Sequence, residues 1–90
     1  MTEITLTVKH KVGLHARPAA VFVKLAKTFQ SKITLTNLTR SGAPTNAKSI
    51  LGVLKAAIAQ NHSVHLQAEG EDAQEAIIAL TQLIENNFGE

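Results

Sequence analysis

The segment of residues 13–19, GLHARPA, holds the side chains best suited to chemistry in this sequence. Pro18 is tolerated in the first turn of a helix, where backbone N–H groups lack an intrahelical partner, so it predicts a helix that starts near His15. The N–H groups of Ala16 and Arg17 would then favour an anion, and the Arg17 guanidinium can hold phosphate oxygens in a bidentate grip. A neutral imidazole attacks phosphorus without a strong base. The pattern indicates a phosphoryl acceptor at His15. The alternative is a histidine that only caps the helix.

Three segments alternate polar and apolar residues, which predicts strands with one buried face at 4–8, 33–36 and 64–68. A short further strand is predicted after the turn at Gly42. It is placed at an edge of the sheet because Pro44 lacks an N–H.

Helical spacing of apolar residues predicts three helices. The first covers residues 16–29, and the second is a short Ala-rich helix over 49–58. The third starts at an Asp-x-x-Glu capping pattern formed by Asp72 and Glu75 and ends near residues 86–87. The order β-α-β-β-α-β-α predicts an α+β fold, with an antiparallel sheet covered by helices on one face. A chain of 90 residues is expected to form a single domain, residues 1–90.

Charge is distributed unevenly along the chain. Residues 1–60 contain all nine Lys and Arg residues and one acid, a net charge of +8, whereas residues 61–90 contain six acids and no Lys or Arg. This asymmetry indicates an acidic partner for the first part, or else a basic surface that is simply solvated.

Composition excludes several classes of function. With no cysteine, disulfides and thiol chemistry are excluded, and only 3% aromatic residues leave no stacking platform for nucleic acid. No metal site is expected, because His10, His62 and His65 are not spaced to converge. No general acid–base pair accompanies His15, which argues against a small enzyme. No apolar run has the length of a signal peptide or a membrane span, so we expect a cytoplasmic protein without membrane insertion.

The segment 13–19 resembles the active-site signature of the HPr family, the phosphocarriers of the bacterial phosphoenolpyruvate-dependent phosphotransferase system (PTS). The segment 48–54, KSILGVL, resembles the regulatory serine segment of that family, and residues 68–72 with the helix after them resemble its C-terminal region. The resemblance covers essentially the whole chain. It implies an open-faced β-sandwich of three helices on a four-stranded antiparallel sheet.

The resemblance also implies a function without a cofactor. Enzyme I, charged by phosphoenolpyruvate, would phosphorylate His15 on Nδ1, and the protein would pass the group to a histidine of a sugar-specific enzyme IIA. Arg17 would steady the phosphoryl group. The chain would thus be a carrier and not an enzyme. An alternative is an HPr-like regulatory module that serves a non-sugar branch of the system.

Ser49 is predicted to be a second, regulatory phosphorylation site for a serine kinase or phosphorylase, the alternative being a plain helix cap. The predicted partner surface lies around the same two helices and consists of Lys24, Lys27, Lys48, Ile50, Leu51 and Leu54. We expect a monomer.

Two features depart from the family pattern. Val12 stands where these proteins often carry Asn or Ser, and the loop 37–45 is longer than usual.

Overall fold

The computed structural model describes residues 1–11, 13–14 and 16–89. It places them in four strands, three α-helices and a short C-terminal 3₁₀ turn. In chain order these are β1 (Thr2–Thr7), α1 (Ala16–Ala26), β2 (Lys32–Asn37), β3 (Thr45–Asn46), α2 (Ile50–Lys55), β4 (Ser63–Glu69), α3 (Ala73–Glu85) and the 3₁₀ turn (Asn87–Gly89).

The strands form one antiparallel sheet in the order β1-β4-β2-β3. Leu66 of β4 lies between Ile4 of β1 and Leu35 of β2, so their apolar side chains share the face that the helices cover. The neighbouring His65 and Thr36 are directed to the open face and remain partly exposed. The predicted α+β fold, with three helices on a four-stranded antiparallel sheet, is confirmed.

The first two helices are shorter than their apolar patterns predicted. α1 ends at Ala26 instead of residue 29, because the N–H of Thr28 bonds to the carbonyl of Leu25 and its hydroxyl bonds to the same oxygen. α2 ends at Lys55 instead of residue 58, because Ala57 adopts a left-handed φ of 52°. That turn directs Ile58 into the core.

The predicted capping pattern at the start of α3 is wrong in its detail. Asp72 precedes the helix, but its carboxylate makes no side-chain cap. It accepts hydrogen bonds from the backbone N–H groups of Gln30 and Ser31, at 2.8 and 2.9 Å, and from the Ser31 hydroxyl. The Ser31 hydroxyl first, and then the Gln30 N–H, lower the pKa of Asp72 below its ordinary value. Asp72 therefore ties the start of α3 to the connection between α1 and β2.

The 3₁₀ turn was not predicted from the sequence. Asn87 and Phe88 both adopt left-handed φ values, 51° and 59°, which bring the Phe88 ring back into the core. The ring meets His10 edge to face, with 5.7 Å between the ring centroids. Among the described residues, no helix has the length and hydropathy that a membrane span requires.

Candidate functional site

The part of the loop between β1 and α1 that precedes residue 15 is held in place by backbone hydrogen bonds. Gly13 has a φ of 62°, and its N–H bonds to the carbonyl of His10 at 3.0 Å. A Cβ at this position would lie 2.3 Å from the carbonyl oxygen of Ile58, so only glycine fits without displacement. The next residue, Leu14, is buried, and its N–H bonds to the same Ile58 oxygen. The unusual backbone predicted at Gly13 is present.

On the other side of residue 15, α1 begins at Ala16, as the position of Pro18 predicted. The N–H groups of Ala16 and Arg17 lie in the first turn, where an α-helix offers them no intrahelical acceptor. Arg17 is exposed, and its guanidinium makes no hydrogen bond or ion pair with the described residues. The helix start thus presents two backbone donors and one available cation. His15 and Val12 themselves lie outside the described residues.

The other three imidazoles are engaged elsewhere in the fold. His10 packs against Phe88. His62 lies directly before β4, where its Nδ1 accepts from the Ala59 N–H at 3.1 Å and lies 3.1 Å from the amide nitrogen of Asn37. His65 Nε2 lies 2.8 Å from a Glu3 carboxylate oxygen.

A shallow surface groove of about 260 Å³ lies between α1 and α2. Lys24 lines it from α1, Lys27 lines it from the turn directly after α1, and Ile50 lines it from α2, so three of the predicted partner-surface residues come together. Ala20 lines the groove as well. Sequence reasoning missed Ala20, although its place off the buried stripe of α1 was a signal that it would be exposed.

The remaining apolar members of the predicted surface are also accessible. Leu51 is 68% exposed, Ile50 39% and Leu54 37%. Three large apolar side chains left in solvent on one six-residue helix form a patch of the kind that marks protein–protein contact.

Lys48 has a structural contact. It is partly buried, and its ammonium donates to the carbonyl of Phe29 at 2.6 Å. This bond joins the segment before α2 to the connection that follows α1. This contact could not be predicted from the sequence, because the two residues are 19 positions apart in the chain.

Ser49 is the N-cap of α2. Its hydroxyl oxygen accepts from the N–H of Gly52 at 3.1 Å, and its φ of −110° is extended. The side chain is partly exposed. The capping role is therefore present, and it leaves the hydroxyl at the edge of the patch formed by Ile50, Leu51 and Leu54.

In the part of the chain that the structure describes, no three His, Cys, Asp or Glu side chains are grouped so that they could hold a metal ion.

Comparison with known proteins gives consistent matches. A family model described as "PTS HPr component phosphorylation site" matches residues 2–86. The HPr phosphocarrier of Xylella fastidiosa is 43% identical over 90 residues, which cover this whole chain and 98% of that protein. The solved structure of an HPr from Thermoanaerobacter tengcongensis has a TM-score of 0.94 and 48% identity, covering 100% of this chain and 98% of that one.

The same sequence is also similar to part of a larger protein. The multiphosphoryl transfer protein of Haemophilus influenzae is 44% identical over 86 residues. Those residues are 96% of this chain, but the chain spans only 17% of the length of that relative.

Proposed function

This chain belongs to the HPr family of the PTS, and on that premise we propose that it is a phosphocarrier whose phosphoryl group is held on His15. It accepts the group from phosphorylated enzyme I and donates it to an enzyme IIA. The observation that carries the proposal is the family match, described as a phosphorylation site, over the residues that include His15.

Two further observations support His15 as the acceptor. The residues that follow it supply the N–H groups of Ala16 and Arg17 and an exposed guanidinium, all suited to an anion. The other three histidines, His10, His62 and His65, already have neighbours that hold their rings.

Each proposed step breaks one bond to phosphorus as it forms another. On acceptance, the lone pair of the neutral His15 Nδ1 attacks phosphorus as the bond between phosphorus and enzyme I breaks, and the released pair stays on enzyme I. On donation, the lone pair of the enzyme IIA histidine attacks phosphorus as the N–P bond of His15 breaks, and the released pair stays on the His15 imidazole. Little covalent chemistry is left to the protein, so positioning and charge stabilisation dominate. We assign both to the first turn of α1 and to Arg17.

The proposed partner surface is the groove between α1 and α2 together with the exposed side chains of α2. Lys24 and Lys27 surround an apolar floor, which suits a partner with acidic residues around an apolar contact. Leu51 is the most exposed large apolar side chain on this surface. Enzyme I and enzyme IIA are assigned to it in turn.

We infer a regulatory role for Ser49 as a target of a serine kinase. Its hydroxyl adjoins the exposed patch on α2, so a phosphate there would bring about two negative charges into the proposed contact. A single domain over residues 1–90, a monomeric state and a cytoplasmic location stay predictions of the sequence.

The test is phosphorylation by purified enzyme I and phosphoenolpyruvate. The wild-type chain should gain one acid-labile phosphoryl group, His15→Ala should gain none, and the matched variant His65→Asn should behave as wild type. Circular dichroism checks that each variant is folded. An acid-labile phosphate on folded His15→Ala would refute the assignment.

A further inference from the structure

A cleft of about 300 Å³ opens on the side of α2 that faces β3. Residues of the long loop after β2 form one wall, and the last turn of α2 forms the other. Arg40 lines it from the loop and Lys55 from the helix, and Thr45 supplies a hydroxyl. The cleft is separate from the groove between α1 and α2, which Ala20, Lys24 and Ile50 line.

The cleft is held in shape by Asn37, a lining residue that is 1% exposed. Its amide nitrogen donates to the carbonyl of Ala56 at 2.9 Å, which fixes the end of α2. Its amide oxygen accepts from the backbone N–H of Arg40 at 3.3 Å, and its own carbonyl accepts from the N–H of Gly42 at 3.0 Å. One buried side chain therefore joins both walls, so the cleft is formed before any ligand enters.

The charge of the cleft is uncompensated. The side chains of Arg40 and Lys55 make no hydrogen bond or ion pair with the described residues. The sequence places no Asp or Glu between Glu3 and Glu69, so the segments that build both walls contain no acid. Two cations that face one cleft without a carboxylate favour a dianionic ligand over a neutral or singly charged one.

We propose that this cleft binds a small organic phosphate, with the phosphate between Arg40 and Lys55. A phosphate monoester carries close to two negative charges at neutral pH, which matches the two cations, whereas a carboxylate carries one. The volume is at the lower end of the range of small-molecule sites, about 300–1,000 Å³. The apolar wall of Ala43 and Pro44 offers a surface for the body of the ligand.

The cleft and the proposed partner surface share the helix α2. Gly52 lines the cleft, and its N–H is the group that bonds to the Ser49 hydroxyl. Lys55 is on the same six-residue helix as the exposed Leu51 and Leu54. A ligand that holds the loop against α2 would therefore steady the helix that carries the partner surface.

The experiment is an NMR titration of the ¹⁵N-labelled protein with glucose 6-phosphate at constant ionic strength. Saturable shifts are expected at the amides of Arg40, Gly42, Thr45, Gly52 and Lys55. The same titration is run on His15→Ala, which removes the proposed phosphoryl acceptor. Binding in the cleft should be unchanged in that variant, so this test is independent of the phosphocarrier function.

Matched double variants separate a site from general attraction between charges. Arg40→Gln/Lys55→Gln should raise the dissociation constant at least about tenfold, whereas Lys9→Gln/Lys32→Gln, which removes the same charge elsewhere, should change it less than about twofold. Glucose should cause no shifts, and inorganic phosphate should bind more weakly than the sugar phosphate. Equal weakening in both double variants, unsaturable shifts, or equal binding of inorganic phosphate would overturn the proposal.

Discussion

At the scale of single residues, substitution of Arg17 distinguishes a role in phosphoryl transfer from a role in folding. Its side chain is exposed and contacts no described residue, so Arg17→Ala should shift the melting temperature by less than about 4 °C. If the guanidinium holds the phosphoryl group, the same change should slow transfer from enzyme I about tenfold or more. Rapid-quench phosphorylation kinetics measure the rate.

The conservative variant makes that result specific. Arg17→Lys keeps the charge but loses the planar fork of donors, so its rate should fall between those of wild type and Arg17→Ala. Unchanged rates in both variants would mean that the backbone donors of α1 suffice.

Gly13 is the residue whose replacement should disturb the loop before the site most. In Gly13→Ala the new Cβ meets the backbone of Ile58, and φ is left-handed, so the free energy of unfolding should fall by about 2–4 kcal/mol. Gly42→Ala is the matched control, because its Cβ would come no nearer than 3.6 Å to another atom. Urea unfolding compares the two, and an equal loss would show that steric fit at Gly13 is not the cause.

At the scale of elements, local patterns predicted what local forces determine. Alternation identified β1, β2 and β4, and Pro18 located the start of α1, because both signals depend on neighbours in the chain. The early end of α2 could not be predicted, since it follows from the left-handed turn at Ala57 that Ile58 needs to reach the core.

Contacts between distant segments could not be predicted from the sequence either, because they depend on the folded arrangement and not on neighbours in the chain. Asp72 has the residue type and spacing of a helix cap, yet its oxygens bond to Gln30 and Ser31, 42 and 41 positions away. Lys48 likewise bonds to the carbonyl of Phe29. In the site, the residue types were predictable, whereas the partners of each side chain depend on the folded arrangement.

The tie at Asp72 predicts a pH dependence of stability. The pKa of Asp72 is lower in the folded protein than in the unfolded chain, so the unfolded chain binds the proton more readily. The free energy of unfolding therefore decreases as the pH falls from about 4, the ordinary pKa of Asp, toward the lowered pKa of the folded protein. Asp72→Asn leaves fewer acceptors for the Gln30 and Ser31 N–H groups and should unfold at lower urea concentration at pH 7.

The difference between wild type and Asp72→Asn should shrink as the pH falls below about 4 toward the lowered folded pKa of Asp72, because the carboxylate then becomes protonated and loses its charge. Glu71→Gln removes an exposed carboxylate nearby and should change little at either pH. A difference between wild type and Asp72→Asn that is independent of pH would contradict the role of the carboxylate.

Two variants of Ser49 distinguish its capping role from its proposed regulatory role. Ser49→Ala loses the acceptor for the Gly52 N–H and should lower the free energy of unfolding by about 0.5–2 kcal/mol while phosphate acceptance continues. Ser49→Asp keeps a capping oxygen and should retain stability, but it places negative charge beside Ile50 and Leu51 and should slow acceptance from enzyme I. If Ser49→Asp accepts phosphate as fast as wild type, Ser49 acts as a cap alone.

At the scale of the whole molecule, the fold converts an asymmetry of sequence into an asymmetry of surface. The exposed Arg17 and Lys24 are on α1 and Lys27 directly follows its end, whereas Glu75 and Glu85 are on α3. The candidate site is therefore at the start of a basic helix. Such a charge distribution steers an acidic partner toward the site before contact, which suits a carrier that visits several proteins.

Electrostatic steering predicts that the rate of phosphoryl transfer depends on the salt concentration. A reaction limited by steps after the two proteins meet would not show this dependence. The second-order rate of phosphoryl transfer from enzyme I should fall as NaCl rises from about 0.05 to 0.5 M, because the screening length shortens from roughly 14 Å to about 4 Å. Lys24→Gln/Lys27→Gln should lower the rate at low salt and make the rate depend less on the salt concentration.

The control is Lys32→Gln/Arg40→Gln, which removes the same charge outside the groove. Its rate should keep most of the salt dependence seen in wild type. Stopped-flow measurements over the salt series give the rates of wild type and of both double variants at low and at high salt. Equal slopes would mean that the groove does not orient the encounter and that net charge alone attracts the partner.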